Sequence, residues 1–177
     1  RTLLEGGNVI DVGANVASEL FGWAEARNAG ALLRRRNVVP MDLIVTTKAE
    51  AQAIEDARAL VQFSFDKNEW LPFGRRFVVL NEVAGSFDTY KNDKAFQKLL
   101  GFQSMGVGFI LMKRCESDIW PMMERELLSV RDALRMTEVD LDKQYGIDVW
   151  TGHGGLTDLK AWATETLAAF EKAGLFP

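Results

Sequence analysis

Asn8-Val9-Ile10-Asp11-Val12-Gly13-Ala14-Asn15 is the stretch whose reading decides the fold. An apolar run meets a carboxylate, a glycine follows two residues later, and a helical pattern starts at once. This is the order of a buried parallel strand, expected over 8–13, that delivers Asp11 to its C-terminal edge. Open α/β sheets bind ligands at that edge. Asp11 suits a magnesium-bound phosphate, because Mg²⁺ takes one or two carboxylates and keeps several waters. Gly13 lets the backbone approach a γ-phosphate closely. The same octet also reads as a strand end whose Asp11 caps the following helix.

Outward from this octet, strands and helices alternate. The 3.6-residue apolar period predicts helices over 15–35, 49–65, 88–100, 119–136 and 158–173. Short apolar runs predict strands over 41–46, 76–80 and 107–112, the second ending in Asn81. Strands apolar on both faces and separated by helices imply a mainly parallel sheet covered on both sides, a three-layer α/β sandwich. Right-handed crossovers place every strand's C-terminal end on one edge. Asp11, Thr46-Thr47, Asn81 and Met112-Lys113-Arg114 are expected to meet there. The stretch 141–155, with Gly146, Gly152, Gly154 and Gly155, reads as the least regular.

The 177 residues fit one domain, and 47% hydrophobic with 26% charged residues is ordinary for a globular chain. A formal net charge of -4 provides no global field for nucleic acid. Arg34-Arg35-Arg36 is the one tight basic cluster, and it reads first as a solvated helix end. The single Cys115 excludes an internal disulfide and favours a reducing compartment, so a cytoplasmic location is expected. One Cys and one His153 cannot build a zinc site. No apolar run reaches the length of a membrane span.

Taken in order, Val9-Ile10-Asp11-Val12-Gly13-Ala14, Asp42-Leu43-Ile44-Val45-Thr46-Thr47 and Phe77-Val78-Val79-Leu80-Asn81 resemble the ParA/MinD-type P-loop ATPases. The Asp-x-Gly-Ala form looks like the StbB- and TraL-like branch concerned with plasmid stability and conjugal transfer. The resemblance spans about 8–135. It implies a P-loop NTPase-like fold and a homodimer that hydrolyses ATP with Mg²⁺. The implied setting is plasmid partition or DNA transfer, with a DNA-bound adaptor or transfer-machinery protein as partner. It also implies residue roles. Asp11 holds the Mg²⁺ shell or orients water, Gly13 lies at the γ-phosphate switch, and Asn81 reads adenine through its amide. Thr46, Met112 and Lys113 fall at the remaining strand ends of the nucleotide site. Asn81 reads equally as a turn or cap residue after a strand.

Departures from the family are specific. No G-x-x-x-x-G-K-[ST] loop occurs in the 177 residues, and no Ile-Pro follows Met112-Lys113-Arg114. The chain is therefore expected to be a single domain that lacks its N-terminal strand and phosphate loop. A gap in the sheet, or another segment filling it, is the corresponding structural expectation. A catalytically degenerate, non-enzymatic adaptor of the same fold is the alternative.

The remaining features read as structural. Trp162 with Leu159, Ala163, Leu167 and Phe170 forms the apolar face of a docked terminal helix. Met122 and Met123 read as core. Glu124, Glu126, Glu138, Asp140, Asp142, Asp88 and Asp93 are spaced like solvated faces.

Overall fold

The computed structural model describes residues 10–12, 16–38 and 41–175. Helices α1 (Ala17–Ala26) and α2 (Ala29–Arg35) precede strand β1 (Met41–Lys48). Helix α3 (Ala51–Asp66) joins β1 to β2 (Phe73–Asn81), and α4 (Lys94–Gly101) joins β2 to β3 (Gly108–Met112). Helices α5 (Trp120–Arg125), α6 (Val130–Ala133), α7 (Glu138–Tyr145) and α8 (Val149–Lys172) follow. The three strands form one all-parallel sheet in the order β1-β2-β3.

Register explains the layers. Val45, Val78 and Phe109 lie side by side across the sheet, as do Thr46, Val79 and Ile110. Side chains alternate faces along a strand, so the two rows point to opposite sides. Val45, Val78 and Leu80 pack with Ile54, Ala57 and Val61 of α3 and Phe96 and Leu99 of α4. Phe77, Val79 and Ile110 pack on the other side against Ala169, Phe170 and Ala173 near the end of α8. The central strand β2 buries Phe77, Val78, Val79 and Leu80 in succession. Each such side chain stabilises the fold by roughly 1.5–3 kcal/mol.

β1 departs from the expected strand apolar on both faces. Leu43, Val45 and Thr47 face α3, while Asp42, Ile44, Thr46 and Lys48 alternate with them, and Ile44 remains 46% exposed. α8 thus covers the second face over β2 and β3 and leaves the β1 strip open. The expected gap is absent among the described strands, because β2 pairs directly with both neighbours. The strand expected over 8–13 is not seen either. Ile10, Asp11 and Val12 have no regular secondary structure, and its other residues lie outside those described. A short apolar run does not by itself separate strand from other structure, and Ile10 is 46% exposed instead of packed.

The predicted helix 15–35 breaks where Asn28 adopts a left-handed conformation, φ 49. The resulting α1–α2 hairpin packs Phe21, Ala24 and Leu33 against Phe63, Leu71 and Phe73. It therefore sits where β2 begins and α3 ends, at the N-terminal edge of the sheet. Helix 88–100 starts later than expected because Asp93 is a cap, accepting from the N–H of Ala95 (2.8 Å) and Phe96 (3.0 Å). Leu127, with φ 53, divides the predicted helix 119–136 into α5 and α6.

The stretch 141–155 is ordered, against expectation. α8 begins at Val149 and runs through Gly152, Gly154 and Gly155. Glycine inside a helix costs about 1 kcal/mol relative to alanine, so packing must offset it. A Cβ on Gly152 would lie 3.4 Å from the Glu138 Cα, and one on Gly155 only 2.5 Å from the Ile119 Cγ2. Two of the three glycines thus let α7 and the start of α5 approach α8 closely. The lobe so formed has Ile119, Met122, Met123, Ala133, Leu141 and Leu159 at its centre. The 24-residue α8 links this lobe to the sheet. Trp162 Nε1 donates to the Lys113 carbonyl at 2.7 Å, just past β3, and Arg75 Nη1 donates to the Gly174 carbonyl near the start of β2. α8 therefore runs antiparallel to the strands, and the lobe lies beyond their C-terminal edge.

Asp93 and Asp140, expected to lie on solvated faces, in fact take part in helix caps, and Asp148 caps α8. Asp148 accepts from the N–H of Trp150 and Thr151, both at 3.1 Å, and Asp140 completes a capping box with Thr137. Bonding to the Thr151 side chain and backbone lowers the Asp148 pKa, and bonding to Thr137 lowers that of Asp140. A depressed folded-state pKa adds stability that is present above the unfolded carboxylate value and is lost as pH falls through the folded one. Asp148→Ala is therefore expected to lower the thermal midpoint at neutral pH. The gap to wild type should shrink on acidification toward about pH 2. Melts followed by circular dichroism across that range check this; a gap that stays constant would contradict the capping role.

Among the described residues, no helix is long and apolar enough to cross a membrane.

Candidate ligand site at the C-terminal edge of the sheet

Three parallel strands end side by side. Lys48 lies beside Asn81, and Asn81 beside Met112. With strands about 4.8 Å apart, the row spans roughly 10 Å. Residues paired across a parallel sheet share a face, so Lys48, Asn81 and Met112 all point to the α8 side. Thr46, two residues earlier in β1, is exposed on the same side. Lys113 follows directly after β3. Of the expected site residues, the structure thus brings Thr46, Asn81, Met112 and Lys113 to one edge. Asp11 is exposed and is carried by no described strand, and Gly13 lies outside the described residues.

Lys48, Lys113 and Asn81 at this edge already have partners. Lys48 Nζ pairs with Glu50 Oε1 at 2.9 Å, and Lys113 Nζ with Glu165 Oε1 of α8 at 2.8 Å. The Glu165 hydrogen bond raises the Lys113 pKa, with a smaller contribution from Glu82. Both pairs are solvent-exposed, so they contribute little to stability and exchange readily for another anion. Asn81 Oδ1 accepts from the Val83 N–H at 3.0 Å, which makes it the cap of the turn after β2. Its amide NH₂ is not used in that bond, and an amide oxygen has a second lone pair. Glu82 Oε1 in turn accepts from the Phe87 N–H at 3.1 Å and stiffens the same turn.

Beside this row, Leu111, Lys113, Glu165, Thr166 and Ala169 line a shallow cleft of about 180 Å³ between β3 and α8. It is smaller than an ordinary small-molecule pocket of about 300–1,000 Å³. A ligand at this edge would therefore extend from the cleft across the row of strand ends. Two ammonium groups, one amide and an apolar wall could hold an anionic, partly planar molecule.

Lys48 was missed in reading the sequence, because the strand was ended at Thr46. The signal was present: Asp42, Ile44, Thr46 and Lys48 alternate with Leu43, Val45 and Thr47. That period of two continues to Lys48 without a break. Glu165 could not have been found, since its approach to Lys113 depends on how α8 crosses the sheet.

Comparison with known protein families, curated proteins and solved structures returns no match.

Proposed function

We propose that this chain is a ParA/MinD-like ATPase domain acting in plasmid partition or conjugative DNA transfer. The observation that supports it is the in-register row of Lys48, Asn81 and Met112 at the C-terminal edge of a parallel sheet. Asn81 would donate to the adenine ring from its amide NH₂. Lys48 and Lys113 would exchange their carboxylate partners for phosphate oxygens. Thr46 would add a hydroxyl on the same face. No group of three or more His, Cys, Asp or Glu side chains placed to hold a metal is found among the described residues. Asp11 is the residue assigned to Mg²⁺ in this reading, as the single carboxylate that such an ion accepts alongside its waters. When bound, the metal would neutralise charge on the transferred phosphoryl group.

Steady-state ATP hydrolysis by the protein tests this reading. Asp11→Ala is expected to reduce turnover about 100-fold, the usual scale for one preorganised electrostatic group, with an unchanged circular dichroism spectrum. Normal turnover in Asp11→Ala would remove that residue from the site and leave the strand-end row to be judged separately.

The non-enzymatic adaptor is the second reading. Its support is that Lys48 and Lys113 each engage a glutamate, while the Asn81 oxygen engages its own turn. Absence of ATP binding, with no hydrolysis, in the wild type would favour it.

A further inference from the structure

We propose that the base position beside Asn81 accepts guanine at least as well as adenine, so that the ligand class is purine nucleotides and not adenine nucleotides alone. This deepens the nucleotide reading above and rests on it. What decides the base is which atoms of one amide remain for a ligand. Asn81 closes β2, and the short 3₁₀ turn Glu82–Ala84 follows it directly. Its side chain accepts from the Val83 N–H at 3.0 Å. A backbone N–H can only donate, so the atom facing it is the amide oxygen, and the NH₂ group is turned away from that bond. The turn that fixes this orientation is itself tied. Glu82 accepts from the Phe87 N–H at 3.1 Å, and Ser86 from the Asp88 N–H at 3.2 Å. Among the described residues the Asn81 NH₂ group has no partner.

An asparagine reads adenine by using both ends of its amide, the oxygen on the 6-amino group and the NH₂ on N7. Here the oxygen is already engaged by its own turn. Its neighbours in the row do not replace it: Lys48 offers donors alone, and Met112 offers an apolar wall. The edge therefore presents donors to a base. That pattern suits guanine, whose O6 and N7 are both acceptors on one edge. Adenine shares only N7 and sets its own 6-amino donor beside the amide NH₂. The oxygen keeps a second lone pair, which lets adenine bind, but the group that meets the ligand unopposed is the donor.

ATP and GTP carry the same phosphates, so contacts of Lys48, Lys113 and Mg²⁺ cancel in their ratio and the bases alone are compared. Calorimetry with Mg²⁺ should give GTP a dissociation constant no more than about threefold above that of ATP. Inosine triphosphate keeps O6 and N7 and lacks the 2-amino group, so it should bind within about threefold of GTP. Asn81→Asp keeps an oxygen for the Val83 N–H and replaces the NH₂ with a second oxygen. It should melt like the wild type and weaken GTP relative to ATP by about tenfold or more. ATP binding more than about threefold tighter than GTP overturns the proposal. So does tight GTP with weak inosine triphosphate, which would move recognition to the 2-amino group, or an Asn81→Asp variant that leaves the GTP-to-ATP ratio unchanged. Binding of neither ATP nor GTP is a different result: it removes the nucleotide reading itself, and this proposal with it.

Discussion

Gly30→Ala is expected to lower the thermal midpoint by about 10 °C, from a loss near 3 kcal/mol at the upper end of overpacking costs. Gly30 lies in the first turn of α2, where an added methyl would ordinarily favour the helix. Here its Cβ would stand 1.8 Å from the Glu69 carbonyl oxygen and 2.9 Å from the carbonyl carbon. Both atoms are backbone and cannot rotate away. Relief requires α2 to lift from the turn that leads into β2, which would open the contacts of Leu33 with Leu71 and Phe73. The Arg34 bond to the same Glu69 carbonyl, at 3.2 Å, would go with it. A melt of Gly30→Ala within about 2 °C of wild type would show that α2 does not dock this way.

Gly154→Ala and Gly155→Ala are expected to move stability in opposite directions, although they are adjacent in one helix. Nothing lies within 4 Å of a Cβ added at Gly154, which is exposed. Alanine there gains about 1 kcal/mol in helix propensity. At Gly155 the new methyl would meet the Ile119 Cγ2 at 2.5 Å and its backbone nitrogen at 3.2 Å, beside the bond from Ser117 Oγ to the Gly155 carbonyl. The expected loss is about 2 kcal/mol. Ile119→Ala removes the nearer obstacle, so Gly155→Ala should cost at least about 1 kcal/mol less in that background. Chemical denaturation of the four variants measures the coupling. Equal effects at the two glycines would contradict the packing of α8 on the segment before α5.

These glycines also show where the sequence was opaque. Gly152, Gly154 and Gly155 within four residues suggest irregular backbone, because glycine disfavours helix locally. What overrides it is contact with Glu138 and Ile119, distant in sequence, and no local pattern announces that contact. Asn28 and Leu127 have the same character: each takes a left-handed conformation that splits a stretch whose apolar period continues across it. Leu127, 92% exposed, carries no turn chemistry that would mark the break. The strands were legible because runs of three or four apolar residues, bounded by polar ones, fit strands of a parallel sheet, most clearly in β2. Their parallel order followed from the helices between them. Thr46, Asn81, Met112 and Lys113 were found together because crossover handedness fixes which strand ends coincide. The octet around Asp11 was the least secure guide, since its three described residues form no strand.

The central claim is that the row of strand ends binds a nucleotide, and calorimetry on the protein tests it most directly. ATP with Mg²⁺ should bind with a single transition. Asn81→Ala and Lys48→Ala should each weaken binding about tenfold, as expected for loss of one amide or charge-assisted hydrogen bond. A protein that shows no heat of ATP binding, and no shift of its thermal midpoint with ATP, would contradict the nucleotide site and leave the adaptor reading in its place.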